Sequence, residues 1–197
     1  MTTETFVKRP ARYTGGVPKR GLWIFVGLPK SGKSGIGVSI QNSVVLETDP
    51  HGADEYGGVI VDVENWENFK AKFTQAKNDP KIEVIVVDTL DSLLEWIEQD
   101  VAKQYGLQTV DERKKGVNNF AVSGDLEFRV KVITKMFMNC GKLVVAMAHT
   151  KEKKIDSDGQ LLTSYSIYAK GRLAPYILGR ADLIGEVLKN HVAGKTE

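Results

Sequence analysis

One cysteine, Cys140, stands in 197 residues, which excludes a disulfide scaffold and a cysteine-built zinc site and suits a reducing compartment. No apolar run approaches the ~20 residues that cross a bilayer, so no membrane partner is expected. The opening MTTETFVKRPARY lacks the apolar core of a signal peptide, and the expected location is the cytoplasm. Repeats, low-complexity tracts and a convincing interdomain linker are also missing. Neither charge dominates, since 27 Lys and Arg oppose 25 Asp and Glu for a net +2. With 42% hydrophobic residues this balance excludes a disordered chain. At ~100–200 residues per domain, one domain with a sizeable core is expected.

The near-zero total hides a partition. Residues 47–100 hold 14 acidic and 4 basic side chains, a local −10, so the remainder carries +12. The first twenty residues form a basic arm with Lys8, Arg9, Arg12, Lys19 and Arg20 against Glu4. Further cations gather at Arg113-Lys114-Lys115 and at Lys151, Lys153 and Lys154. Such asymmetry suits a polyanionic partner, although any one run also reads as a solvated face.

Strand and helix signals alternate along the chain, which predicts an α/β fold around a mainly parallel sheet with helices on both faces. Leu22–Val26, Val44–Leu46, Val59–Val63, Ile82–Val87, Leu143–Ala148 and Asp182–Leu188 read as strands. Trp66, Phe69, Phe73 and Ala76 recur at helical spacing behind a capping Asn65, and Pro80 closes that helix. A second stripe, Leu93, Leu94, Ile97, Val101 and Tyr105, starts near Asp91 or Ser92 and stops at Gly106. Leu107–Gly124 shows little periodicity and reads as a long functional or mobile connection. Asp125 is then the expected cap of a helix carrying Val130, Ile133, Met136 and Phe137. A charged hairpin or loop follows around Asp158-Gly159, then a short helix within Lys170–Leu178.

Gly27-Leu28-Pro29-Lys30-Ser31-Gly32-Lys33-Ser34 fits G-x-x-x-x-G-K-[ST] at every position, directly after a strand and before a helix. The glycines let backbone N–H groups converge on phosphate oxygens through Gly35, Lys33 reaches the β and γ phosphates, and Ser34 ligates Mg²⁺. Asp88 closes the IEVIVVD strand and is the expected second support of the metal. ATP and Mg²⁺ are therefore the expected cofactors.

The succession of this loop, VVLETD, IEVIVVDTLDSL and LVVAMAHTKEK resembles the RecA-like P-loop ATPase core. It is most similar to the small phage-encoded ATPases of the Sak-type single-strand-annealing recombinase group. The resemblance spans roughly residues 20–188 and implies a basic arm at 1–20, an ATPase core at 21–190 and a short tail at 191–197. It implies that Asp49, in the place of the family's longer glutamate, orients the attacking water, with Glu47 as the alternative. It implies further that His149 senses the γ-phosphate, and that Lys170 or Arg172 reaches a neighbouring subunit's nucleotide, with Arg180 a competitor. The implied partners are single-stranded DNA, further copies of the chain in a ring or filament, and a single-stranded-DNA-binding protein, in the host cytoplasm if the gene is a phage's. Arg113, Lys114, Lys115, Lys151, Lys153 and Lys154 are the candidate DNA contacts, with Phe120, Tyr165 and Tyr168 available for base stacking. A helicase-type motor, a small-molecule kinase and a nucleotide-gated loading module remain as alternatives.

Overall fold

The computed structural model describes residues 19–49, 57–157 and 160–188, with residues 151–165 described by their backbone alone. The basic arm, apart from Lys19 and Arg20, lies outside the described residues, as does the whole of the expected tail.

Short β-branched runs become the strands β1 (Gly21–Gly27), β2 (Ser43–Glu47), β3 (Ile60–Asp62) and β4 (Val84–Asp88). Further on come β5 (Leu143–Ser157), β6 (Gln160–Ile167) and β7 (Leu183–Glu186). The helices are α1 (Lys33–Ser39), α2 (Trp66–Asn78), α3 (Leu90–Gln104), α4 (Asn119–Asn139) and α5 (Leu173–Leu178). Six strands form a parallel sheet in the order β3-β2-β4-β5-β1-β7, and β6 adds antiparallel to β5. The expected α/β sheet with helices on both faces is what forms.

Alternation along each strand divides two apolar layers. Leu22, Ile24, Ile85, Val87, Val144 and Ala146 face the larger one, shared with α2, α3, α4 and α5. Val45, Val84, Val86, Leu143, Val145 and Met147 face the smaller one, covered by Ile36 and Val38 of α1. A Cβ on Gly37 would stand 2.9 Å from Val86 Cγ1 and 3.2 Å from Met147 Cε, so glycine lets α1 lie close on the sheet. That approach carries the start of α1 over the strand ends.

Helix α2 follows its sequence signals. Asn65 caps it by accepting from the Asn68 N–H at 2.9 Å, and Phe69 and Phe73 pack on Phe137 with ring centroids 6.2 and 5.4 Å away. Asn65→Ala should therefore cost about 1 kcal/mol and lower the melting temperature by roughly 2–4 °C, measured by thermal denaturation.

Helix α3 starts at Leu90 after Thr89, within one residue of the expected Asp91, which lies in its first turn. One expectation is corrected. Helix α4 starts at Asn119, well before Asp125. Asn118 caps it through Phe120 N and Ala121 N, and Asp125 pairs with Arg129. What precedes it is a packed connection, with Leu107 and Val110 buried, Lys114 Nζ donating to Gly106 O at 2.9 Å and Glu112 accepting from Gln108 N at 2.6 Å. The charged hairpin expected around Asp158-Gly159 forms on either side of those two residues, which lie outside the described ones: β5 runs on to Ser157 and pairs back antiparallel with β6. No helix among the described residues is long and apolar enough to cross a membrane.

Candidate nucleotide site

The parallel register aligns the carboxyl ends of the strands. Glu47 of β2 lies beside Asp88 of β4, and Gly27 of β1 lies beside His149 of β5. Because β5 is inserted between β1 and β4, His149 emerges between the phosphate loop and the Asp88 strand.

The loop between β1 and α1 turns through two left-handed positions, Lys30 at φ 61° and Gly32 at φ 97°. Glycine fits the second at no steric cost. Leu28, Pro29 and Lys30 are exposed, Ser31 and Gly32 are half-buried, and Ser34 and Gly35 begin the helix half-buried. Lys33 is only 5% exposed, and its Nζ donates to Gly27 O at 3.0 Å and to Leu28 O at 2.9 Å. Burial pulls its pKa down, partly offset by the charges of Asp88 and Asp91. Phosphate oxygens would replace those two carbonyls with charged acceptors, which make the stronger hydrogen bonds.

Asp88 is 4% exposed, and burial pushes its carboxyl pKa up. A hydrogen bond from Ser34 and the charges of Lys33 and His149 oppose that rise. Its Oδ2 is buried with no hydrogen-bond partner among the described residues. A hydroxyl and a half-satisfied carboxylate side by side are hard oxygen donors of the kind Mg²⁺ takes, so Ser34 and Asp88 fit the ion. No group of three or more His, Cys, Asp or Glu among the described residues could hold a metal. The ion would therefore depend on phosphate oxygens for its remaining ligands.

Glu47 and Asp49 separate by depth. Glu47 is buried at the end of β2, whereas exposed Asp49 lines a cavity of about 410 Å³ with Pro29, Asp91, His149 and Tyr168. Thr48 between them fixes the turn. Its N–H donates to Asp88 O at 2.7 Å, and its Oγ1 both donates to Thr89 O and accepts from Thr89 N, each at 2.7 Å. Asp91 Oδ2 accepts from the His149 N–H at 2.8 Å and meets His149 Nδ1 at 3.0 Å. Burial raises the Asp91 pKa, and its contacts with His149 oppose that rise. Sequence reasoning missed Thr48 and the role of Asp91. Its one visible signal was an acid three residues after Asp88, in the first turn of the next helix.

A family model described as an AAA domain matches residues 21–196. The chain belongs to the AAA-domain family. The AAA domain is a P-loop ATPase fold, which agrees with the parallel sheet and with the loop described above. No curated protein matches the chain.

Outside the cavity of this AAA domain, the remaining candidates disperse. Lys170 is engaged within its own subunit, 3.0 Å from Glu98 and 2.5 Å from Asp111. Burial works against its charge, but the hydrogen bonds to Asp111 and Glu98 outweigh it and raise the pKa. Two carboxylates of its own chain thus hold the ammonium expected to reach a neighbour. Arg172 is exposed ahead of α5, and Arg180 lies over the Tyr176 ring at 5.3 Å. Arg113, Lys114 and Lys115 are exposed on the packed connection before α4. Lys151, Lys153 and Lys154 lie on the continuation of β5, their backbones paired with Ser166, Ser164 and Thr163. Phe120 is 91% exposed and Tyr168 is exposed beside the cavity, while the Tyr165 side chain lies outside the description.

Proposed function

We propose that this AAA domain hydrolyses Mg-ATP to control a grip on single-stranded DNA, as a ring or filament acting in phage recombination or strand annealing. One observation carries the reading. The strand that brings His149 between the phosphate loop and Asp88 continues without a break into the hairpin bearing Lys151, Lys153 and Lys154. A change of nucleotide state felt at His149 therefore has a rigid element along which to reach a basic hairpin.

In this reading the backbone from Gly27 to Gly35 cradles the phosphates, Lys33 neutralises them, and Asp49 at the cavity holds the attacking water. Glu47, buried behind it, supports the strand end. Bound Mg²⁺, held by Ser34 and Asp88, would neutralise charge developing on the phosphate oxygens. Arg172, exposed ahead of α5, or Lys170 on release from Glu98 and Asp111, is the cation offered to a neighbouring subunit, and Arg113, Lys114 and Lys115 extend the DNA surface. A single-stranded-DNA-binding protein is the natural partner of such a chain.

Fluorescence anisotropy of a labelled oligonucleotide across a salt series tests the hairpin. Replacing Lys151, Lys153 and Lys154 together by Ala should weaken binding and flatten the log–log salt slope by up to about 2, at ~0.7 per lost phosphate contact. An unchanged slope and affinity would remove the hairpin from the DNA surface.

A further inference from the structure

We propose that His149 is the proton acceptor for the water that attacks the γ-phosphate, and that Asp91 is the residue that positions it. The inference rests on the ATP-hydrolysing part of the reading above and is independent of DNA. Its first ground is the tautomer. A carboxylate oxygen only accepts, so the 3.0 Å contact between Asp91 Oδ2 and His149 Nδ1 places a hydrogen on Nδ1. Only the protonated ring carries the charge that acts on Asp88; in its neutral form the ring then presents a bare Nε2, which accepts a hydrogen bond and has none to give. This differs from a sensor that donates to a phosphate, because the one N–H of the neutral ring is already bound to Asp91.

The second ground is the rigidity of the pair. The same Oδ2 takes the His149 backbone N–H at 2.8 Å, so the backbone and the ring of one residue are tied to one atom. Asp91 sits two residues after Thr89, whose backbone is clamped on both sides by Thr48 at 2.7 Å. A carboxylate that fixes an imidazole by Nδ1 also stabilises the imidazolium formed when Nε2 takes a proton. Asp91 Oδ1 is buried with no hydrogen-bond partner among the described residues, so both side-chain and backbone bonds to His149 fall on the one atom Oδ2.

The third ground is place. His149 lies in register with Gly27, the first glycine of the phosphate loop, and shares its cavity with Pro29 and Asp49. Exposed Asp49 lines the same cavity, where its carboxylate can accept a hydrogen bond from that water and orient it. The step balances as follows. The water oxygen forms a bond to the γ-phosphorus, and the bond from that phosphorus to the bridging oxygen breaks. The electron pair leaves with ADP, and the water proton passes to His149 Nε2 and then to the released phosphate or solvent.

Several charged and titratable groups surround the ring. Asp91 faces it from α3, where Glu95 and Glu98 line the same cavity, Asp88 acts on it from β4, Asp49 lies across the cavity after β2, and Tyr168 lines it after β6. Lys33 of α1 acts on Asp88 and Asp91, and Gly27 of β1 stands in register with His149.

The test is steady-state Mg-ATP hydrolysis by the full chain, as kcat and KM against pH, for wild type, His149→Gln, Asp91→Asn and His149→Ala with added imidazole. Wild-type kcat should fall on the acid side through one protonation. His149→Gln should lose that limb and about 10²–10³-fold in kcat with little change in KM. Asp91→Asn should lower kcat and move the limb to lower pH, because the imidazolium has lost its counter-charge. Imidazole should restore part of the His149→Ala rate, a result that a merely structural histidine would not give. A kcat that falls as pH rises through the imidazole range, or a His149→Gln rate within threefold of wild type, would overturn the proposal. Absence of wild-type turnover would overturn the ATPase reading and the dyad together, whereas turnover indifferent to DNA would overturn only the DNA reading.

Discussion

Lys33→Ala is expected to reduce Mg-ATP affinity by about 10²-fold or more, measured by titration with a fluorescent ATP analogue. The size follows from what the ammonium does: a charged donor enclosed among phosphate oxygens contributes about 2–5 kcal/mol when its partner is left unpaired. The variant should still fold. Lys33 is buried with its pKa pulled down, so its charge is already held at a disadvantage, and only Gly27 O and Leu28 O lose a donor. Retained affinity in a folded Lys33→Ala protein would remove the phosphate loop from nucleotide binding.

Asp88→Asn is expected to separate function from stability. Turnover should drop by at least about 10²-fold, because an amide neither carries the charge nor offers the second oxygen that a hard cation takes. Nucleotide-free protein should become more stable. Folding raises the Asp88 pKa above its ordinary 3.8, so the folded state binds this proton more tightly than the unfolded chain. Stability from this group is then greatest at low pH, declines as pH rises from 3.8 through the raised value, and stays low above it. The asparagine variant carries no such penalty and should melt roughly 2–6 °C higher at pH 8, given about 1–2 kcal/mol for a half-satisfied buried carboxylate. The gain should vanish as pH falls below the ordinary carboxylate range. A lower melting temperature at pH 8 would mean that Asp88 holds the fold together more than it holds a metal.

Local order made much of this site readable. The phosphate loop, its flanking strand and helix, and Asp88 at a strand end depend on neighbours in the chain, and each lies where its motif puts it. The strands were equally legible, since short β-branched runs buried on both faces of a parallel sheet carry their own signal. What escaped was built across distance or hidden by a broken period. Asp91 and His149 are 58 positions apart, and nothing local to either reveals the bond. The same holds for Thr48 and Thr89, 41 positions apart. Helix α4 was read late because polar Ser123 and Gly124 interrupt the stripe of Val122, Leu126, Val130, Ile133 and Phe137. The hairpin of β5 and β6 was itself legible from Asp158-Gly159, and only the extent of β5 was hidden, because its residues beyond His149 are charged. Nothing local to Lys170 reveals its ion pairs, because Glu98 and Asp111 reach it from elsewhere in the chain.

Of these contacts, the bond from Asp91 to His149 is the one at the head of the strand that continues into the hairpin, where the proposed function places the link between nucleotide and DNA. The measurement that tests the junction most directly is the rate of Mg-ATP hydrolysis by the full chain with and without saturating single-stranded oligonucleotide. A severalfold rise on adding the oligonucleotide, abolished when Mg²⁺ is chelated, is the predicted result. An unchanged rate in protein shown to bind ATP would contradict the account.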